Sequence, residues 1–167
     1  EKENADLFWA VRGAGANFGV TTAFEYQLYP MPKEILAGEV KCPHDSLGDL
    51  LKLYREFNRT IPDDVGITAS LVPQTDAKPL AAFTVGFFGT VPGDPMTCDF
   101  AAGEKALKAI RDFCKAKGGK DTIEKRSYLW LQQLWKMKPD WKPRAVVRSS
   151  FLKELDDDTI KVMVAHS

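Results

Sequence analysis

The pattern of apolar residues near the start of the chain predicts a short helix, a glycine loop and a strand. Asp6 is placed to cap a helix over residues 7–11, with Arg12 in its last turn and Gly13 after it. Over residues 20–28, VTTAFEYQL, every second residue is suited to one buried face, which is the period of a half-buried strand. The glycines therefore follow a helix and precede a strand.

Beyond Pro30 and Pro32 the pattern predicts a β-α-β-β-α-β series. Ser46 and Asp49 match an aspartate variant of the capping box at the start of its first helix. The strands are expected over ILAGEVKCP, GITASLV, PLAAFTVGFFG and DTIEKRSY, and the helices over SLGDLLKLYREF and residues 99–117. A short helix over YLWLQQLW, a strand over RAVVRSSF and a helix over DDDTIKVMVAH are expected to follow.

These elements indicate an α+β fold, in which helices cover one face of an antiparallel sheet with a βαββαβ-like core. Alternate residues of PLAAFTVGFFG form one apolar face, made of Ala81, Phe83, Val85 and Phe87. The opposite face of the sheet is predicted to be uncovered. It is therefore available to another domain, a ligand, a partner or a second copy of the chain.

The composition restricts the class of function. The 167 residues contain 23 Lys and Arg against 23 Asp and Glu, so the net charge gives no attraction to nucleic acid or to an acidic membrane surface. No apolar run reaches membrane-spanning length. Three widely spaced cysteines argue against a disulfide framework and a zinc site, and they favour a reducing compartment with the cytoplasm as the default. Two distant histidines predict no metal site.

Three local motifs have a structural interpretation beside a chemical one. His44, Asp45 and Ser46 are consecutive, which favours a turn and helix cap over a catalytic triad, because triad members converge from separate segments. The segment WKMKPDWKPR suits base stacking beside phosphates or, more simply, a solvated loop anchored by its tryptophans. Cys114 lies on the apolar face of a predicted helix and is expected in the core.

The glycine loop also admits two interpretations. A dinucleotide fingerprint is not supported, because its glycines follow a strand and open a helix, and Phe18 stands where its third glycine would be. What remains is a loop whose exposed amides approach a flat or polar ligand, or a tight turn that binds nothing. The residues alone favour the turn.

A longer segment of this region carries a specific resemblance. The segment DLFWAVRGAGANFGVTTAFEYQLYP is similar to the pattern D-L-F-W-A-x-R-G-G-G-G-N-F-G-V-V-T of FAD-linked oxidases of the berberine bridge enzyme-like group, among flavoproteins of the vanillyl-alcohol oxidase and p-cresol methylhydroxylase type. The stretch RSSFLKELDDDTIKVMV resembles a K-S-S-F-L-x-E-L stretch of that group. The resemblance implies that residues 1–30 end an FAD-binding domain and that residues 31–167 form an incomplete substrate domain.

The resemblance further implies a fragment of an FAD-dependent oxidoreductase, which oxidises a small organic substrate by hydride transfer to the flavin beneath the antiparallel sheet. The family's pyrophosphate loop, its flavin-linking histidine and cysteine and its C-terminal part are expected in flanking segments that this chain lacks. Alone, the chain is therefore expected to be inactive and not to retain FAD. The alternative is a non-catalytic α+β ligand-binding or interaction module.

The resemblance also assigns candidate site residues. The positions expected to contact the cofactor are Gly13, Ala14, Gly15, Asn17, Phe18, Gly19 and Val20. Ala14 and Ala16 stand where the family prefers glycine, so a positive φ or a very close approach at either position would weaken binding. Arg148 and Ser150 are alternate residues of the predicted late strand and are candidates to face the substrate. The sequence identifies no catalytic base.

Overall fold

The computed structural model describes residues 3–74, 77–134, 136, 149 and 151–167, with Ala16 described by its backbone only. Most of the predicted strand RAVVRSSF and of the segment WKMKPDWKPR lies outside these residues. None of the helices in the described ranges is long and apolar enough to cross a membrane.

An antiparallel sheet forms the centre of the fold. The strands in the described residues are β1 (Glu34–Cys42), β2 (Val65–Gln74), β3 (Ala77–Phe87), β4 (Thr90–Val91), β5 (Asp94–Cys98), β6 (Lys120–Asp121) and β7 (Glu124–Ser127). β3 lies between β2 and β1, and β6 and β7 pair with different residues of β1. β4 and β5 form a separate hairpin. The α+β class with an antiparallel sheet is therefore confirmed, although this hairpin and the divided last strand are additions to the predicted series.

The helices in the described residues are α1 (Ala5–Ala14), α2 (Leu47–Asn58), α3 (Phe100–Ala116), α4 (Tyr128–Gln133) and α5 (Asp157–Ala165). α2, α3 and α5 supply buried side chains to the core, including Leu50, Leu107 and Ile160. Asp99 caps the start of α3, because its carboxylate accepts a hydrogen bond of 3.0 Å from the backbone N–H of Ala102. This bond satisfies one of the free N–H groups at the start of the helix.

The core lies between this helical layer and one face of the sheet. Phe83 is opposite Val40 of β1 and Ala69 of β2, and its ring stacks on that of Tyr54 at 6.1 Å between centroids. The predicted inward-facing residues of β3 are all buried, namely Ala81, Phe83, Val85 and Phe87. The alternate apolar side chains of β3 and the helically spaced apolar side chains of α2 therefore pack together in one apolar layer.

The prediction of an uncovered second face is wrong for the centre of the sheet. Four residues pointing away from the core are buried: Ile35, Ala37, Ala82 and Thr84. α4 approaches this face, since a Cβ built on Gly86 would lie 3.3 Å from Cδ2 of Leu131. Towards β2 the same face is exposed, for example at Thr68.

The N-terminal prediction is partly wrong. α1 takes Gly13 into its last turn, and it begins after Asn4 with no side-chain cap, so Asp6 does not cap it. Residues 20–28 form no strand. A half-buried strand needs ladder partners and an apolar surface, and the described residues supply neither to this segment.

The predicted capping box at the start of α2 is also absent. A single 3-10 turn, His44–Ser46, leads into the helix, and Ser46 makes no side-chain cap hydrogen bond. The carboxylate of Asp49 instead accepts a bond of 2.5 Å from Nζ of Lys117, beyond the end of α3. Asp49 thus forms a long-range ion pair with Lys117 and not a local capping hydrogen bond.

Candidate functional site

The glycine loop joins the end of α1 to an extended segment. Gly13 and Ala14 close α1, and Gly15–Asn17 forms a 3-10 turn that ends with a 3.0 Å hydrogen bond from the N–H of Phe18 to the carbonyl of Gly15. Gly19 follows with φ of 144°, a conformation that side chains with a Cβ rarely adopt. The loop is therefore a tight turn whose exit requires glycine.

The other loop glycines have no steric reason within the described chain. A Cβ built on Gly13 or Gly15 would meet no atom within 4 Å. Gly15 has φ of −49° and ψ of −38°, a helical conformation open to any residue. Bare backbone at these two positions thus leaves room for something else to approach closely.

The alanines that depart from the family pattern are compatible with this geometry. Ala14 has φ of −111°, and Asn4 is the one non-glycine residue with positive φ in the described part of the chain. Alanine therefore causes no backbone strain at either position of the departure.

Small-molecule sites typically enclose about 300–1,000 Å³. A concavity of ≈ 530 Å³ lies beside the loop. Its lining residues are Trp9, Ala10, Arg12, Gly13, Ala14 and Phe18. The guanidinium of Arg12 lies 5.5 Å from the centre of the Phe8 ring. Aromatic side chains, a cation and bare backbone together suit one side of a flat aromatic group that carries phosphate, so the residues present fit part of an FAD site.

The second face of the sheet carries a polar row that the sequence did not single out. Thr84 lies opposite Glu39 on β1 and Thr68 on β2. The hydroxyl of Thr84 is buried and has no hydrogen-bond partner among the described residues, and the residue is 7% exposed. The complement of the apolar alternation in β3, namely Ala82, Thr84 and Gly86, was the signal that could have revealed this row.

A cluster around α4 borders the same face. The guanidinium of Arg126 lies 4.2 Å from the ring centre of Trp130 and pairs with Glu124 at 2.8 Å. The Tyr128 ring meets Phe88 edge to face at 6.3 Å. These contacts fix an aromatic and cationic border beside the sheet, and periodicity gave no indication of it because the contacts join separate elements.

The remaining candidate residues divide into three groups. Arg148 and Ser150 lie outside the described residues, so their prediction stays untested. His44 and Ser46 belong to the 3-10 turn and form no triad with Asp45, whose carboxylate instead lies 3.6 Å from Nζ of Lys78. Cys114 is fully buried in the core, as predicted.

Comparisons with known proteins relate the chain to flavoenzymes. No family model matches the chain. It is 37% identical over 93 residues to the FAD-linked oxidoreductase tazL of Aspergillus terreus, which covers 54% of this chain and 19% of the relative. It is 60% identical over 38 residues to (R)-6-hydroxynicotine oxidase of Paenarthrobacter nicotinovorans, which covers 23% of this chain and 8% of the relative.

A solved structure gives the same relationship at the level of the fold. The structure of 6-hydroxy-D-nicotine oxidase from Arthrobacter nicotinovorans superposes with a TM-score of 0.60 and 29% identity, covering 79% of this chain and 27% of that one. The matched regions cover between 8% and 27% of the length of these longer relatives, so the chain corresponds to less than a third of each. The sequence and the fold together relate this chain to one segment of the FAD-linked oxidoreductases and oxidases.

Proposed function

We propose that the chain is a segment of an FAD-dependent oxidoreductase of the berberine bridge enzyme-like group, which oxidises a small organic substrate. The observation that carries the proposal is the glycine loop, whose bare backbone at Gly13 and Gly15 serves no packing within the described chain. The similarity of the chain to FAD-linked enzymes, in both sequence and fold, supports the same assignment. FAD, when bound, would accept the hydride removed from the substrate. A non-catalytic module is not favoured, since these relatives are named as oxidoreductases and oxidases.

The proposed division of the chain assigns residues 1–30 to the FAD-binding domain and residues 31–167 to the substrate domain. The apolar side chains of the first segment support it, because Val20 is 92% and Leu28 82% exposed. Contiguous exposed apolar surface is typical of a region that packs on another part of a protein. In this proposal, flanking segments of a longer parent protein would cover these exposed side chains.

The residues proposed to hold the cofactor are those of the loop. Gly13, Gly15 and Gly19 would let the backbone approach the flavin, and Asn17 and Phe18 would border it. The part of the second face that is exposed, at Thr68 of β2, would close the substrate side. The protein would thus position both molecules and exclude water, while the redox chemistry belongs to the flavin.

The decisive test changes Gly15 to leucine in the full-length parent protein. Gly15 has helical dihedral angles and nothing within 4 Å of its Cβ position, so the substitution should leave folding unchanged. If the flavin lies on this backbone, we expect FAD affinity to fall by about tenfold or more, measured as flavin absorbance per protein chain. Ala101→Leu on the exposed side of α3 is the matched control.

A Gly15→Leu protein that is fully loaded with FAD would contradict the loop assignment.

A second test addresses this chain by itself. We propose that it does not retain FAD, because the loop offers one wall of a site for a large cofactor. Fluorescence titration of the cooperatively folded chain with FAD should therefore show no saturable binding. Saturable binding with a rise in melting temperature would contradict the picture of a site shared with flanking segments.

A further inference from the structure

Two of the three cysteines lie together where β1 meets the end of α3. Cys42 and Cys114 are both fully buried, and the described chain contains no disulfide. A Cβ built on Gly119 would lie 2.9 Å from each of the two sulfur atoms. Both sulfurs therefore border the same small volume beside Gly119.

Glycine at position 119 is what permits this proximity. Its backbone N–H donates a 2.9 Å hydrogen bond to the carbonyl of Cys114, which folds the chain back over the end of α3. The same hypothetical Cβ would lie 2.6 Å from the carbonyl oxygen of Lys41. Any larger residue would push the turn away from both thiols, so the turn and the thiol pair form one structural unit.

A surface concavity borders this unit. A surface concavity of ≈ 380 Å³ is lined by Arg111, Asp112, Cys114, Lys115, Gly119 and Asp121. It is large enough for a small neutral oxidant, which needs no charged contact to enter. Cys98, the third cysteine, is also buried but belongs to β5 and lies against the carbonyl of Phe87, so it serves as an internal reference.

We infer that Cys42 and Cys114 are an oxidisable thiol pair, which hydrogen peroxide converts into a disulfide that links β1 to α3. One thiolate attacks the peroxide O–O bond, forms a sulfenic acid and releases hydroxide, which takes up the thiol proton to give water. The second sulfur then attacks the sulfenic sulfur, the S–O bond breaks, and water leaves. Two thiols are oxidised and one peroxide is reduced to two waters. The inference does not depend on flavin binding.

The burial of the pair determines the rate of this reaction. Burial raises the pKa of both thiols, to about 12 for Cys114. The thiolate is the reactive form, so the cross-link should form slowly at neutral pH and faster as pH rises. The pair is consequently a latent cross-link and not a rapid sensor.

The test treats the folded chain with hydrogen peroxide in mildly alkaline buffer and then counts free thiols after denaturation. We expect the count to fall from three to one, with an intact mass lower by about 2 Da and restored by reductant. Peptide mapping of the untreated and treated wild-type chain should find the bond between Cys42 and Cys114. This mapping needs no variant and so does not depend on whether a variant folds.

Alanine variants supply the matched comparison. Cys42→Ala and Cys114→Ala should each abolish the loss of mass, whereas Cys98→Ala should retain it and leave no free thiol. Circular dichroism establishes that each variant is folded. Three free thiols in the treated wild-type chain, or a mapped bond that includes Cys98, would overturn the inference.

Discussion

The sheet with its helices, residues 34–127, and the N-terminal segment, residues 3–31, use apolar side chains in opposite ways. In the first region Phe83 has no exposed surface and packs between two strands and a helix. In the second, Phe24 stacks on Tyr26 at 5.6 Å between centroids, yet both rings remain largely exposed. Aromatic stacking alone therefore does not bury a side chain.

The two regions therefore differ in the contacts that support them. Burial and ladder hydrogen bonds support the first region from within the chain. In the second, no ion pair and no strand pairing involves residues 3–31 among the described residues. Contacts with another domain, as proposed above for residues 1–30, would cover the apolar side chains that this segment leaves exposed.

Hydrogen exchange gives the largest expected contrast. Amides of β3 bond to β1 and β2 and should exchange only through near-global unfolding, whereas amides of residues 19–31 should exchange almost at once. Mass spectrometry should find rates that differ by at least about a thousandfold. Strong protection of residues 19–31 would break the comparison, because it would mean that this chain covers the segment itself.

Deleting one aromatic ring in each region measures the same contrast as energy. Phe83→Ala removes a fully buried side chain, and the free energy of unfolding should fall by about 3–5 kcal/mol. Phe24→Ala should change it by less than about 0.5 kcal/mol, since that ring is mostly exposed. Urea denaturation of both variants is the measurement. Equal losses would show that residue 24 belongs to the cooperative core.

A matched pair of glycines separates the regions by steric contact. A Cβ on Gly38 would overlap the carbonyl oxygen of Thr122, so Gly38→Ala forces backbone movement between β1 and the β6–β7 junction. We expect a loss of about 1–3 kcal/mol from this overpacking. Gly15→Ala, with open space around it, should be neutral in the same denaturation experiment. A neutral Gly38→Ala would mean that the two strands can separate without cost.

The sequence predicted the first region well because burial leaves a periodic signal. Leu47, Leu50 and Leu51 of α2 are buried in the core, as their spacing indicated. Leu107 and Ile110 of α3 are buried in the same core. Residues 20–28 carry the same kind of signal but form no strand. Alternation indicates which side chains suit a buried face. It does not indicate which segment covers that face.

The candidate site was predictable only in part for a related reason. The glycine loop was found because its residues are contiguous and match a family pattern. The row formed by Glu39, Thr84 and Thr68 could not be read from local spacing, since strand register brings together three residues separated by up to 45 positions. A buried hydroxyl without a partner becomes visible only when the register is known.

Helix capping provides a smaller effect in the same comparison. Asp99 caps α3, so Asp99→Ala should lower the free energy of unfolding by about 1 kcal/mol. Asp6→Ala should have no comparable effect on global unfolding, because Asp6 caps nothing and α1 contributes no residue to the core. Thermal and urea denaturation measure both variants. A loss at Asp6 as large as that at Asp99 would place α1 in the cooperative unit.

The smallest expected effect concerns the ion pair of Asp49 and Lys117, which ties α2 to the end of α3. The hydrogen bond from Lys117 and its charge lower the pKa of Asp49. A carboxyl whose pKa is lower in the folded state stabilises the fold above its unfolded pKa and loses that contribution as pH falls through the folded pKa. Both side chains are substantially exposed, so a double-mutant cycle with Asp49→Asn and Lys117→Met should give a coupling below about 1 kcal/mol at neutral pH. The coupling should disappear in strong acid. A coupling that persists there would show that the two side chains act through packing and not through charge.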